Sequence, residues 1–151
     1  MKKPTHYEKA TQGIRVRVEP EFSLADSDPF EGHYVFSYDI AMENEGSEPA
    51  RLLFRHWRIH DAAGEDTEVD GEGVIGEQPS LGPGDSHAYR SYCVLRSPAG
   101  YMEGHYTFVR PNGQEFLVEV PRFQLTAPII PPPLVAPPPP DEDDEDYGRM
   151  N

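Results

Sequence analysis

Residues 34–43 place a large apolar side chain at every second position: Tyr34, Phe36, Tyr38, Ile40 and Met42 alternate with Val35, Ser37, Asp39, Ala41 and Glu43. A helix repeats every 3.6 residues and cannot gather that set on one side, whereas an extended strand does so automatically. The segment is therefore a strand with one buried face. Ile14, Val16 and Val18 alternate with Arg15 and Arg17 in the same way. Further strands are expected over Arg51–His60, Ser86–Leu95, Tyr101–Val109 and Phe116–Val120, with a last short one at Phe123 and Leu125 after Pro121. Arg51–His60 is apolar on both faces near its start (Leu52, Leu53, Phe54), which marks a central strand. Asn44–Ser47, Asp61–Glu65, Ser97–Gly100 and Pro111–Gln114 are turns. The last contains Asn-Gly, a hairpin signal because both residues tolerate positive φ.

No stretch carries a helical stripe. Seven or so short strands separated by turns describe an all-β chain, an antiparallel β-sandwich, with a closed barrel as the alternative. The single cysteine, Cys93, excludes an intramolecular disulfide, a cysteine zinc cluster and the Cys–Trp–Cys pattern of antibody-type domains. Cys93 falls in the alternating run His87, Tyr89, Ser91, Cys93, Leu95 and reads as a small core residue, with no base or helix N-terminus nearby in sequence to activate it.

Charge and proline divide the chain. Residues 1–11 form an N-terminal extension, residues 12–126 the folded body, and residues 127–151 a tail in which PIIPPPLVAPPPP precedes DEDDED. The proline run is expected to be an extended spacer and the acid run a solvated, disordered one. The chain carries −14, and because Asp141–Asn151 holds −5 of it, the rest is itself at −9. That balance argues against nucleic-acid binding, since a polyphosphate wants a basic face. No apolar run is long enough to cross a bilayer as a helix, and the N-terminus lacks the apolar core of a signal peptide, so a cytoplasmic protein without a membrane partner is expected.

The most motif-like segment is Gly71-x-Gly73-x-x-Gly76. In a dinucleotide-binding fold such glycines open a helix, but Pro79 and Pro83 follow too soon, and no Lys-Ser or Lys-Thr pair makes it a phosphate-binding loop. Its glycines read as turn residues with positive φ. The sharper alternative is a nest of backbone amides that captures an oxyanion. Arg55, Arg58 and Arg90 stand in segments without acids, and a phosphate-containing small molecule could be held by them together with Gly71, Gly73 and Gly76. Arg55 and Arg58 differ in parity, however, so a bulge is needed to bring them to one face. His56 and His60 share a strand face but lie about 13 Å apart, too far for one ion, so no metal site is expected unless neighbouring strands supply ligands. Trp57 shares the face of Leu53 and Ile59 and reads first as core. With Gln78 and Tyr89 it is also a candidate for a partner surface.

Several segments resemble the ApaG (CorD) family: Arg55–Ile59 (RHWRI), Gly71–Gly84 (GEGVIGEQPSLGPG), Tyr89–Ser91, Met102–Tyr106 and Phe116–Leu125. The likeness runs from about residue 10 to 126. It implies a fibronectin type III/immunoglobulin-like sandwich and a small bacterial protein associated with cobalt tolerance and magnesium efflux. Related domains in eukaryotic F-box and polymerase-interacting proteins look like protein-binding modules. The resemblance implies no settled biochemical activity, and the proline-acid tail departs from the family pattern. The combined expectation is a non-enzymatic module that binds an unidentified protein partner and needs no cofactor. A phosphate- or nucleotide-binding domain is the alternative, and a hydrolase using His56 as base a distant third.

Overall fold

The computed structural model describes residues 6–128. The proline run beyond Pro128 and the whole acid run lie outside that range. Among the described residues nine strands form two antiparallel sheets: β1 (Tyr7–Thr11), β2 (Ile14–Asp28), β3 (His33–Asn44), β4 (Ala50–Asp61), β5 (Glu65–Glu72), β6 (Ser80–Leu81), β7 (Ser86–Leu95), β8 (Ala99–Val109) and β9 (Glu115–Thr126). One sheet runs β1-β2-β3-β7 and the other β5-β4-β8-β9, with β6 paired to β4 beside β5. No α-helix occurs among the described residues; a single 3-10 turn, Pro29–Glu31, links β2 to β3. The chain is thus an open sandwich and not a closed barrel.

The alternating residues fill the interlayer space as their period requires. Ile14, Val16 and Val18 of β2 and Phe36, Tyr38, Ile40 and Met42 of β3 are buried, facing Trp57, Met102, Tyr106, Phe108, Val118 and Phe123 from the other sheet. Trp57 is held edge-on by Tyr38, Tyr106 and Phe123, with ring centroids 5.8–6.0 Å apart. Such pairs stabilise a core by about 0.5–1.5 kcal/mol each beyond the area they bury.

Three features depart from the sequence expectation. First, the N-terminal extension contributes β1, whose Tyr7 hydroxyl and Thr11 hydroxyl accept bonds from Gln124 N–H and Glu119 N–H of β9. An ion pair between Lys9 and Glu119 joins the same edges, so this side of the sandwich is sewn shut. Second, the segment after Val120 is a continuation and not a separate strand. Pro121 and Arg122 together oppose Glu103, a bulge that accommodates a residue with no N–H to donate. Third, Glu65–Glu72 is a strand although five of its eight residues are acids. It pairs with β4 from Phe54 to Asp61, and every residue except Gly71 is exposed. The Asn-Gly turn does close the β8–β9 hairpin, but only Gly113 takes a positive φ, 89°. Asn112 instead accepts the Gln114 N–H on its side-chain oxygen at 2.9 Å.

Candidate binding cleft

The site begins with a bulge at Leu53. On either side of it β4 pairs with β8 through Leu52–Phe108 and Phe54–Thr107, leaving Leu53 without a partner. One inserted residue reverses the parity of every side chain that follows. Ala50 and Leu52 point inward before the bulge; Trp57 and Asp61 do so after it. The apolar Leu52-Leu53-Phe54 run is therefore a change of register rather than a strand buried on both faces, and Phe54 is left half exposed. β4 is nonetheless central, as expected.

The displaced Leu53 carbonyl anchors the glycine loop. It accepts the Gly73 N–H at 2.8 Å and the Gln78 side-chain amide at 3.0 Å, while Leu52 N–H donates to Pro79 at 3.0 Å. Arg55 reaches over the loop and donates to the carbonyls of Glu72 and Gly73 at 3.1 and 2.9 Å. A side chain at Gly71 would put its Cβ 2.5 Å from the Arg55 guanidinium, and one at Gly73 would meet the Glu77 carbonyl at 2.2 Å. At the tip, Val74 and Glu77 exchange two backbone bonds across Ile75 and Gly76, whose φ angles are 48° and 75°. Two positive φ values in a two-residue connection define a type I′ turn. Gly71, Gly73 and Gly76 thus serve close packing and turn geometry.

The arginines of the expected anion site do not converge. Arg55 is tied to loop carbonyls, Arg58 points to the outer face of its sheet beside Asp66 (3.1 Å), and Arg90 grips Asp39 on the outer face of the other sheet at 2.7 and 2.9 Å. The Leu53 bulge precedes both Arg55 and Arg58 and leaves their opposite parity intact. The Asp39–Arg90 bond holds the Asp39 carboxyl below its usual range. The partner-surface candidates are also corrected: Trp57 is core (4 % exposed), and Gln78 is engaged with Leu53. Tyr89 turns inward, its hydroxyl 2.7 Å from that of Tyr106. Burial raises both phenols. His56 lies on the outer face, 2.6 Å from Asp70 and stacked on His105. Burial, then the neighbouring His56, lowers the His105 imidazole. Among the described residues no group of three His, Cys, Asp or Glu side chains is placed to hold a metal ion.

What the fold does create is a cleft of about 650 Å³ on the side where the two sheets are not sewn together, between β5 and β7. Trp57 and Tyr38 line it, and the Val74–Gly76 tip closes one end. At the other end Arg96 reaches Glu65 at 3.5 Å. The exposed apolar side chains of Val69 and Ile75 rim it, and Tyr92 and Val94 stand beside it on the outer face of β7. Asp61 is buried beside it. Burial pushes its carboxyl up, but bonds from Ser97 Oγ (2.6 Å), Arg96 N–H (2.6 Å) and Ala63 N–H (3.0 Å) prevail and hold it below the ordinary range. Cys93 also lines the cleft, and burial pushes its thiol up to about 11, the opposite of an activated nucleophile. Sequence reasoning missed β5 altogether, and with it one wall of the cleft.

Together these features define a class: a small two-sheet β-sandwich sewn along one side and open along the other, with an apolar-rimmed cleft under a tethered glycine hairpin. The profile of the ApaG domain family matches residues 24–110, and the chain belongs to that family. It is 45 % identical over 115 residues to Protein ApaG of Xanthomonas oryzae pv. oryzae (strain PXO99A), which covers 76 % of this chain and 91 % of that one. It is 46 % identical over 122 residues to Protein ApaG of Methylorubrum populi, covering 81 % of this chain and 94 % of that one. Among solved structures, a Bordetella pertussis protein crystallised under the name ApaA superposes with a TM-score of 0.74 at 42 % identity, covering 76 % of this chain and 94 % of that one. No helix among the described residues is long and apolar enough to cross a membrane.

Proposed function

We propose that this chain is a non-enzymatic binding module of the cytoplasm that engages a protein partner through the β5–β7 cleft. The observation that carries the reading is the apolar rim. Val69 and Ile75 edge the opening and Tyr92 and Val94 stand beside it on the outer face of β7, the four being 36–62 % exposed. Clustered apolar exposure beside buried aromatics is the composition of an interaction site. The cleft contains a thiol driven away from reactivity and a carboxylate, Asp61, held by hydrogen bonds, an arrangement suited to binding rather than acyl or phosphoryl transfer. The family's association with cobalt tolerance and magnesium efflux is read as acting through such a partner and not through an ion held by this chain.

Affinity capture from native lysate tests this, comparing the full chain with Tyr92→Ser/Val94→Ser, whose side chains are exposed and dispensable for the core. A protein retained by the native chain and lost from the double variant is expected. Equal recovery by both would place the partner surface elsewhere. Phosphate release from ATP or diadenosine tetraphosphate above the buffer rate would overturn the non-enzymatic reading.

A further inference from the structure

Six consecutive residues of the chain, Ser91 to Arg96, line the cleft. A strand that presents one face to a cavity contributes alternate residues, as β5 does with Glu65, Thr67 and Val69. An unbroken run means that the strand's backbone edge, and not its face, borders the opening. β7 is indeed terminal in its sheet and bonds only to β3. Every other residue of such a strand turns its N–H and C=O away from the sheet. Among the described residues, no other strand is bonded to that edge.

Free edges are normally guarded by proline, lysine, inward charges or a covering segment. Among the described residues the other three sheet edges are managed in this way. β1 and β9 cover one another, and β5 is studded with acids. β7 is different. SHAYRSYCVL contains no proline, lysine, glycine or acid, and its cleft half is Ser-Tyr-Cys-Val-Leu. Tyr92 and Val94, 57 % and 52 % exposed, stand on the outer face of this half. The opposing wall presents Thr67 and Val69 to the opening, and Glu65 at the far end is paired with Arg96.

Resting on the binding-module reading and deepening it, we infer that the partner is held as an extended peptide strand added to the free edge of β7. Its inward side chains are apolar and lie over Val69 at the mouth of the cleft. Backbone bonds to β7 supply affinity and the alternating pockets supply selectivity, as in other strand-addition complexes. A second copy of this chain is the less suited occupant, because it would bring together two bodies that each carry −9 outside their tails.

The test uses the full chain against a displayed library of random peptides of about eight residues. Enrichment of proline-free peptides with alternating apolar residues is expected. For the best of these, N-methylation at alternate backbone positions abolishes binding and at the intervening ones is tolerated, and amide exchange slows at alternate residues of Ser91–Arg96. Val69→Lys, at an exposed site outside the core cluster, places a charge beneath the apolar side chains and weakens the same peptide about tenfold. Selected peptides that protect another face, or that tolerate N-methylation everywhere, would overturn strand addition while leaving a binding module. Absence of any selected peptide, together with equal lysate recovery by the Tyr92→Ser/Val94→Ser chain, would remove both. Edge pairing of two copies, seen as a dimer in sedimentation with protection of β7, would overturn the peptide assignment in favour of self-association.

Discussion

Ile75 provides the sharpest test of the loop geometry, because a β-branched residue at φ 48° occupies a conformation that suits glycine or asparagine. The left-handed region costs an ordinary L-residue roughly 1–2 kcal/mol, and asparagine recovers much of it through its short polar side chain. Against this stands the burial that Ile75→Asn gives up. Ile75 is 62 % exposed, and full burial of an isoleucine is worth about 1.5–3 kcal/mol, so the third or so that is covered amounts to about 0.5–1 kcal/mol at most. Unfolded chains already hide part of that surface, which shrinks the loss further. The balance favours the variant by about 0.5–1 kcal/mol. With an unfolding entropy near 2.1 cal/mol/K per residue over the described body, that is a rise in Tm of about 2–4 °C. The neighbouring position supplies the control. Gly76 has φ 75°, and a Cβ added there would have nothing within 4 Å, so Gly76→Ala adds no clash and its whole effect lies in the backbone conformation. It should lower stability by about 1 kcal/mol. Urea and thermal unfolding of the two variants should therefore move in opposite directions. If Ile75→Asn melts at or below the native chain, the strained turn is not stored energy and the reasoning fails. A further expectation separates stability from function: because the Ile75 side chain rims the cleft, the more stable variant should bind the partner less tightly.

Three other perturbations follow from the same geometry. Asp61→Asn removes the charge that three donors surround and should cost about 1–3 kcal/mol at pH 7. The Asp61 carboxyl is held low in the folded state, so its contribution is present above the ordinary carboxylate range and disappears as pH falls through its folded value. Denaturation midpoints of native and variant chains should therefore converge in acid, and a constant gap down to about pH 2 would contradict this. Cys93, buried with its thiol near 11, should resist a thiol reagent at about pH 7.5 in the native chain and react at once in denaturant; rapid native labelling would show that the cleft opens. Arg90→Ala breaks an exposed pair and should cost under about 1 kcal/mol, whereas Trp57→Ala empties a core site and should cost about 3–5 kcal/mol. Chemical denaturation ranks the two, and comparable losses would refute the division between surface ion pair and core aromatic.

The strands with a clean period of two are legible from local pattern alone. Alternation in β2 and β3 reports a face buried against one layer, and that is a property of the residues themselves. The hairpin at Asn112-Gly113, the isolated Cys93 and the likeness to the ApaG family are visible in the same way. β5 is not, because an edge strand wet on both faces needs no apolar side chains. It is held by backbone bonds to β4 and by pairs such as His56–Asp70 and Arg58–Asp66, which belong to two separate segments. The Leu53 bulge is equally hidden. A one-residue shift has no local signature beyond an apolar run, yet it decides which residues of β4 face the core. Where each arginine ends, which tyrosines are buried and which edge stays open all depend on how distant strands meet. Side-chain alternation dictates that layers form, but their lateral closure is a balance of contacts between segments far apart in the chain. That balance seals β1 against β9 and leaves β7 bare.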